Sequence, residues 1–229
     1  VNVSDSTARL SGGGRLEATR IDVPADISSA AFFMVAASIT PGSDITLHHV
    51  GVNPTRIGVI NILRQMGAKI SLTNEIEVGG EPVADIRVQY AKLVGIEIPE
   101  SQVPLAIDEF PAIFIAAACA QGETILTGAK ELRVKESDRI QSMADGLNTL
   151  GIDAMATADG IRIVGGEIGS GRVLSHHDHR IAMAFAIAGL RAQGEIIVED
   201  CSNVATSFPD FIVCAASVGL VINTETVND

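Results

Sequence analysis

Residues 26–48 read DISSAAFFMVAASITPGSDITLH, and the same order of residue types returns at 108–126 as DEFPAIFIAAACAQGETIL and at 178–198 as DHRIAMAFAIAGLRAQGEIIV. Each stretch opens on an Asp (Asp26, Asp108, Asp178) and runs through an Ala-rich apolar segment. Each then meets a Gly (Gly42, Gly122, Gly194) and ends in a β-prone run. The apolar segments, near 28–38, 111–119 and 180–190, have helical length. The β-prone runs are 44–48, 123–126 and 195–198.

A polar loop follows each β run. A second amphipathic segment comes next, near 54–66, 137–150 and 208–218, closed by Gly67, Gly151 or Gly219. The matching Asp positions lie 82 and 70 residues apart and the matching Gly positions 84 and 68 apart, so two independent landmarks keep step. That agreement identifies a threefold internal repeat. Within the second copy, Ile140, Met143, Ala144, Leu147 and Leu150 recur at helical spacing and mark a buried stripe. The three closing glycines stand where a helix wants a left-handed cap.

Further β runs at 86–89 and 161–164 complete an α/β pattern of three βαβαββ units, over approximately 21–80, 84–164 and 172–225. Three related units pack naturally about a pseudo-threefold axis, which gathers the starts of their first helices at one end. Helix N-termini carry free N–H groups and partial positive charge, so such a convergence suits phosphate or carboxylate ligands.

Composition sets outer limits. The 229 residues are 47% hydrophobic and 19% charged, enough to bury a core and too apolar for wholesale disorder. Without Trp and with one Tyr, that core must be filled by aliphatic and small side chains. A formal net charge of −12 disfavours nucleic acid, whose phosphates need clustered Lys and Arg. The three cysteines, Cys119, Cys201 and Cys214, show no CxxC spacing; Cys119 and Cys214 sit in apolar runs and read as buried thiols of a reducing compartment. No basic n-region with an apolar core opens the chain, and the apolar runs at 30–39 and 181–190 are about half the length that spans a bilayer. The expectation is a soluble protein without a signal peptide or membrane partner. The opening Val1-Asn2-Val3 is already strand-like and lacks an initiator Met, as expected of a segment of a longer polypeptide, although processing also removes an initiator Met.

The densest polar cluster is KELRVKESDR, residues 130–139, between a β run and the second helix of the middle copy. Lys135 and Arg139 are four apart, so a helical turn would put both on one face. Glu136 lies between them, where two cations would tune its acidity. Taken alone, Asp108 reads first as a helix N-cap, and isolated arginines as surface ion pairs. His176-His177-Asp178-His179 could pass for a metal site, but neighbouring residues of an extended run point to opposite faces, and no further ligand stands at a usual spacing. No metal is expected.

LRVKESDR (132–139), IDEFP (107–111), DHRIAM (178–183) and TSFPD (206–210) together, in this order, resemble the 3-phosphoshikimate 1-carboxyvinyltransferases, or EPSP synthases. The resemblance runs from about Ile21 to the end of the chain. It implies one domain of the two-domain enolpyruvyl transferase fold, the C-terminal one, spanning residues 1–229. Residues 1–20 would then belong to the crossover from an amino-terminal domain. It also implies transfer of the enolpyruvyl group of phosphoenolpyruvate to the 5-hydroxyl of shikimate 3-phosphate, with release of phosphate and without a metal or organic cofactor. That step belongs to the shikimate pathway of aromatic amino acid biosynthesis, in the cytoplasm.

By the same resemblance Asp108 is the acceptor of the hydroxyl proton, Lys135 lies near that hydroxyl and the shikimate phosphate, and Glu136 handles the proton at the methylene carbon. Arg139 and Arg180 grip phosphoenolpyruvate, a task suited to the guanidinium fork. Two positions depart from part of the family: Thr206 stands where some members have Lys, and Glu131 where some have Asn. Both resemble a bacterial branch less sensitive to glyphosate. The sister transferase acting on UDP-N-acetylglucosamine and a non-catalytic assembly domain are the rival readings; the KESDR and DHRIAM runs argue against the first, and the five charged site residues together against the second. The active site lies between two domains in this family, so the 229 residues alone are expected to be inactive.

Overall fold

Asp26 turns extended chain into helix: with φ −78° and ψ 128°, its carboxylate accepts from the Ser29 N–H at 3.0 Å and the Ser29 hydroxyl at 3.2 Å. In the computed structural model, which describes residues 1–15 and 17–225, the helix so started is α1 (Ile27–Ile39). Every residue of α1 except Ser29 is buried. All nine residues of the matching helix of the second copy, α3 (Phe110–Ala118), are buried too. The third, α5 (His179–Ala188), starts under the Asp178 cap and buries seven of its ten residues. Helices apolar on all sides belong in an interior. These three pack against one another and form the centre of the core.

The remaining elements wrap this trio. Ahead of α1 lies an exposed hairpin of β1 (Asn2–Ser4) and β2 (Thr7–Arg9). The first unit continues through β3 (Asp44–Gly51), α2 (Gly58–Gln65), β4 (Lys69–Val78) and β5 (Glu81–Gln89), with antiparallel sheet order β3-β5-β4. After α3 the second continues through β6 (Glu123–Leu126), α4 (Arg139–Thr149), β7 (Asp153–Ala156) and β8 (Ile161–Val164), in the equivalent order β6-β8-β7. Each unit also begins with a parallel contact, Ala25 to Val50 in the first and Glu97 to Ile125 in the second. The third repeats that relation as β9 (Gly171–Leu174) parallel to β10 (Ile196–Glu199), flanking α5, followed by α6 (Val204–Ser207) and α7 (Phe211–Ser217). Two units are thus βαβαββ; the third, among the described residues, is βαβα. Because β5 is the central strand of its sheet, the first unit's sheet reaches Gln89.

The repeat's glycines do what their positions suggested. Gly67, Gly151 and Gly219 follow α2, α4 and α7 with φ of 93°, 83° and 88°, a region closed to most side chains. Gly146 has a different role. A Cβ there would stand 2.2 Å from Cζ of the fully buried Phe185, so α4 and α5 approach more closely than any larger residue permits.

Three expectations need correction. Cys119 and Cys214 are half-buried, because Cys119 caps the end of α3 and the outer side of α7 is uncovered, with Val213 69% exposed. His176 and His177 are not extended; both adopt left-handed backbone, φ 54° and 58°, in a tight turn that delivers Asp178 to the start of α5. Lys135 and Arg139 do not share a helical face, because Asp138 interrupts the backbone as the N-cap of α4. Among the described residues no helix is long and apolar enough to cross a membrane.

Candidate active site

The first-helix starts meet where the sequence pattern put them, and polar side chains tie all three units together there. Asp108 is not the cap of α3. Glu109 occupies that position without a side-chain cap bond, and Pro111 follows in the first turn, where a missing N–H costs nothing. The Asp108 carboxylate is therefore free to face the cluster. Lys135 Nζ lies 3.5 Å and Arg139 Nη1 3.4 Å from its Oδ1, and Arg180 Nη2 lies 3.8 Å from Oδ2. Burial, the largest single influence, pushes its pKa up; Arg180, Lys135 and Arg139 together outweigh it and hold the carboxyl below its ordinary value.

Arg139 opens α4 and exposes none of its side chain. Its Nε donates to Asp178 at 2.9 Å, Nη1 reaches Asp108 and Nη2 donates to Glu136. Asp178 is equally buried and also accepts from Ser137 at 3.0 Å and from the Arg180 N–H at 2.9 Å. Burial raises its pKa, and the Arg139 contacts, with those of Arg180 and Ser137, reverse the balance and lower it. Glu136, by contrast, is 52% exposed. It is the most exposed of the three carboxylates that hold Arg139, ahead of Asp108 at 34%. Lys135 pairs with Glu131 at 2.7 Å as well as with Asp108, and the Glu131 bond leads the influences that raise its pKa.

Arg180 donates from Nη1 to the backbone oxygen of Asp108 at 2.9 Å, with Glu109 Oε1 3.7 Å away. Arg180 also lines a cleft of about 60 Å³, shared with Asp26, Ser28, His179 and Ser207. Burial lowers the pKa of His179, as does Arg180, so its ring favours the neutral form. Thr206, beside that cleft in sequence, donates to the Asn203 oxygen at 2.8 Å. A larger cavity of about 210 Å³ lies at the opposite end of the helix trio, bordered by Ile39, Cys119 and Arg191. The charged cluster is remote from it, and the chemistry belongs with the cluster.

Asp108, Lys135, Glu136, Arg139 and Arg180, separated by up to 72 residues, thus form one continuous network. Sequence reasoning did not reach Asp178 as a network member, nor Glu109, Ser28 and Arg56 on its other flank. For Asp178 a signal existed, since it is the third of the repeat's aligned acids.

With that geometry in place, similarity to known proteins becomes decisive. Residues 1–213 match the family model described as EPSP synthase (3-phosphoshikimate 1-carboxyvinyltransferase). The chain belongs to the EPSP synthase family. A 3-phosphoshikimate 1-carboxyvinyltransferase of Methylococcus capsulatus is 67% identical over 213 residues, 93% of this chain and 49% of the relative. One from Nitrosococcus oceani is 66% identical over 93% of this chain and 48% of its own length. The solved EPSP synthase of Acinetobacter baumannii superposes with a TM-score of 0.91 at 58% identity, over 93% of this chain and 50% of that one. The enolpyruvyl transferase NikO of Streptomyces tendae, 15% identical with a TM-score of 0.56 over 88% of this chain and 44% of its own, shares the fold. The chain spans about half the length of the curated EPSP synthase relatives it matches.

Proposed function

We propose that this chain is the C-terminal domain of a 3-phosphoshikimate 1-carboxyvinyltransferase and supplies one side of its active site, with residues 1–20 belonging to the crossover from an amino-terminal domain. The observation that carries the reading is the convergence of Lys135, Arg139 and Arg180 on the Asp108 carboxylate, with Glu136 on the same arginine. The protein works in aromatic amino acid biosynthesis in the cytoplasm, and its ligands are phosphoenolpyruvate and shikimate 3-phosphate.

Asp108 accepts the proton of the 5-hydroxyl as that oxygen bonds to C2 of phosphoenolpyruvate. The methylene carbon C3 takes a proton from Glu136. Loss of phosphate from C2 and return of the C3 proton to Glu136 then leave the enol ether. The hydroxyl proton departs with phosphate, which balances the exchange. Arg139 and Arg180 hold the carboxylate and phosphate of phosphoenolpyruvate, and Lys135 serves the hydroxyl side. An anionic substrate draws these cations away from Asp108. Its pKa then rises from the depressed value, and it becomes a stronger base when the hydroxyl is in place.

The charge balance also supports a two-domain reading. Lys135, Arg139 and Arg180 already face Asp108, Glu109, Glu136 and Asp178, which leaves a role for further cations supplied by an amino-terminal domain. Phosphate release by a protein carrying both domains tests the assignment. Wild type should turn over this substrate pair, and Asp108→Asn and Arg139→Ala should be severely impaired while folded. Full activity in both variants would refute the assignment.

A further inference from the structure

We propose that Glu109, with Ser28 and Arg56 behind it, is a positioning residue that fixes the Arg180 guanidinium for an anionic three-carbon substrate, an inference that rests on the functional reading above. The Glu109 side chain is 3% exposed, and a carboxylate taken that far from water is destabilising unless specific partners hold it. Its partners come from both other units. The Ser28 hydroxyl, in the first turn of α1, donates to Oε1. Arg56, from the loop before α2, donates through Nη2 to the same hydroxyl oxygen at 2.7 Å and lies 3.6 Å from the Asp26 cap. Arg180 Nη1 stands 3.7 Å from Oε1.

The serine thus accepts from a cation and donates to an anion, which gives the chain one direction, Arg56 to Ser28 to Glu109. Burial is the largest influence on the Glu109 carboxyl and leaves its pKa above the ordinary value, against the opposing pull of Ser28, Arg180 and Arg56.

The consequence falls on Arg180. Its Nη1 is held by the Asp108 backbone oxygen and faces Glu109, both at the start of α3, and Arg180 also lines the cleft shared with His179 and Ser207. A flexible arginine would lose rotamer entropy on gripping a ligand; one already anchored does not. An apolar residue at 109 would fill the space at less electrostatic cost, so the buried charge is better explained by the arginine it orients than by stability.

The test is steady-state phosphate release by the two-domain protein, varying phosphoenolpyruvate and shikimate 3-phosphate separately. Glu109→Gln keeps the shape and removes the charge. It should raise KM for phosphoenolpyruvate roughly tenfold to a hundredfold, the scale on which misplacing an orienting group is felt. KM for shikimate 3-phosphate should stay within about twofold. Glu109→Asp should restore part of the loss, and Ser28→Ala should shift the same KM in the same direction. The double variant should be no worse than Glu109→Gln, because both act through one chain. A folded Glu109→Gln protein with unchanged KM for phosphoenolpyruvate overturns the proposal, whatever its melting temperature. If that variant does not fold, an unchanged KM in Ser28→Ala does the same. Loss of turnover in Asp108→Asn beside a normal Glu109→Gln sinks the positioning role alone. A wild-type protein inactive on this pair sinks the functional reading and this inference with it.

Discussion

Arg139 Nε donates to Asp178 Oδ2 across 2.9 Å, and neither side chain exposes any surface to solvent. This pair joins the start of α4 in the second unit to the cap of α5 in the third. An ion pair so deeply buried gains little over apolar packing, but breaking one side of it strands a charge. Asp178→Ala is therefore expected to destabilise the fold by about 3–5 kcal/mol, read from urea denaturation midpoints. A loss below about 1 kcal/mol would show that the arginine finds other partners.

The same pair has a defined pH signature. The folded pKa of Asp178 is lowered, so its contribution is fully present above the unfolded carboxyl value near 3.9. It fades as pH falls through the depressed folded pKa, where the native state must also take up the proton. The stability gap between wild type and Asp178→Asn should accordingly be full at pH 7 and shrink progressively below about pH 4. Matched denaturation curves at pH 7 and pH 3 check this, and a gap that widens in acid would reverse the sign.

What was legible beforehand follows from how local each signal is. The acid that opens each first helix, and Gly67, Gly151 and Gly219 as left-handed terminators, belong to single helix ends and are readable within a few residues. The KESDR run brought Lys135, Glu136 and Arg139 into view because they are neighbours in the chain. Ser28 and Glu109 are 81 residues apart, and neither carries a local mark that it will meet the other. The left-handed turn at His176 and His177 was hidden for a related reason. Its backbone is held from outside, as where the Asn203 amide bonds the His177 oxygen.

Packing between α4 and α5 leads to a prediction independent of the site. Replacing Gly146 by Ala would raise intrinsic helix propensity by roughly 1 kcal/mol. The added methyl, however, would meet the Phe185 ring at 2.2 Å, in a core with no exposed surface into which the ring could yield. Overpacking of this kind costs about 1–3 kcal/mol, so the net change should be destabilising. The denaturation midpoint should fall with an unchanged m-value. A stabilised variant would mean that the two helices can separate without penalty.

Glu136 and Asp178 bind the same arginine, yet their substitutions should separate cleanly. Glu136 is half in water, where an ion pair contributes about 1 kcal/mol or less. Glu136→Gln should therefore melt close to wild type while losing roughly two to four orders of magnitude in turnover, the range for removing a proton-transfer group. Thermal melts and phosphate-release rates on the two-domain protein together decide it; normal turnover would remove Glu136 from the chemistry.

The 229-residue chain by itself should bind phosphoenolpyruvate only weakly. Each cation of the cluster is already engaged: Arg139 by three carboxylates, Lys135 by Glu131 and Asp108, and Arg180 by Asp108 and Glu109. A ligand carrying a phosphate and a carboxylate must compete with those acids, on a chain whose net charge is −12. Under the two-domain reading proposed above, cations of the amino-terminal domain would offset that cost. Titration calorimetry on this chain should detect no binding at micromolar phosphoenolpyruvate, and joining an amino-terminal domain should restore it. Micromolar affinity in the chain alone would mean that Glu136 or Glu109 gives up its arginine far more readily than the geometry implies.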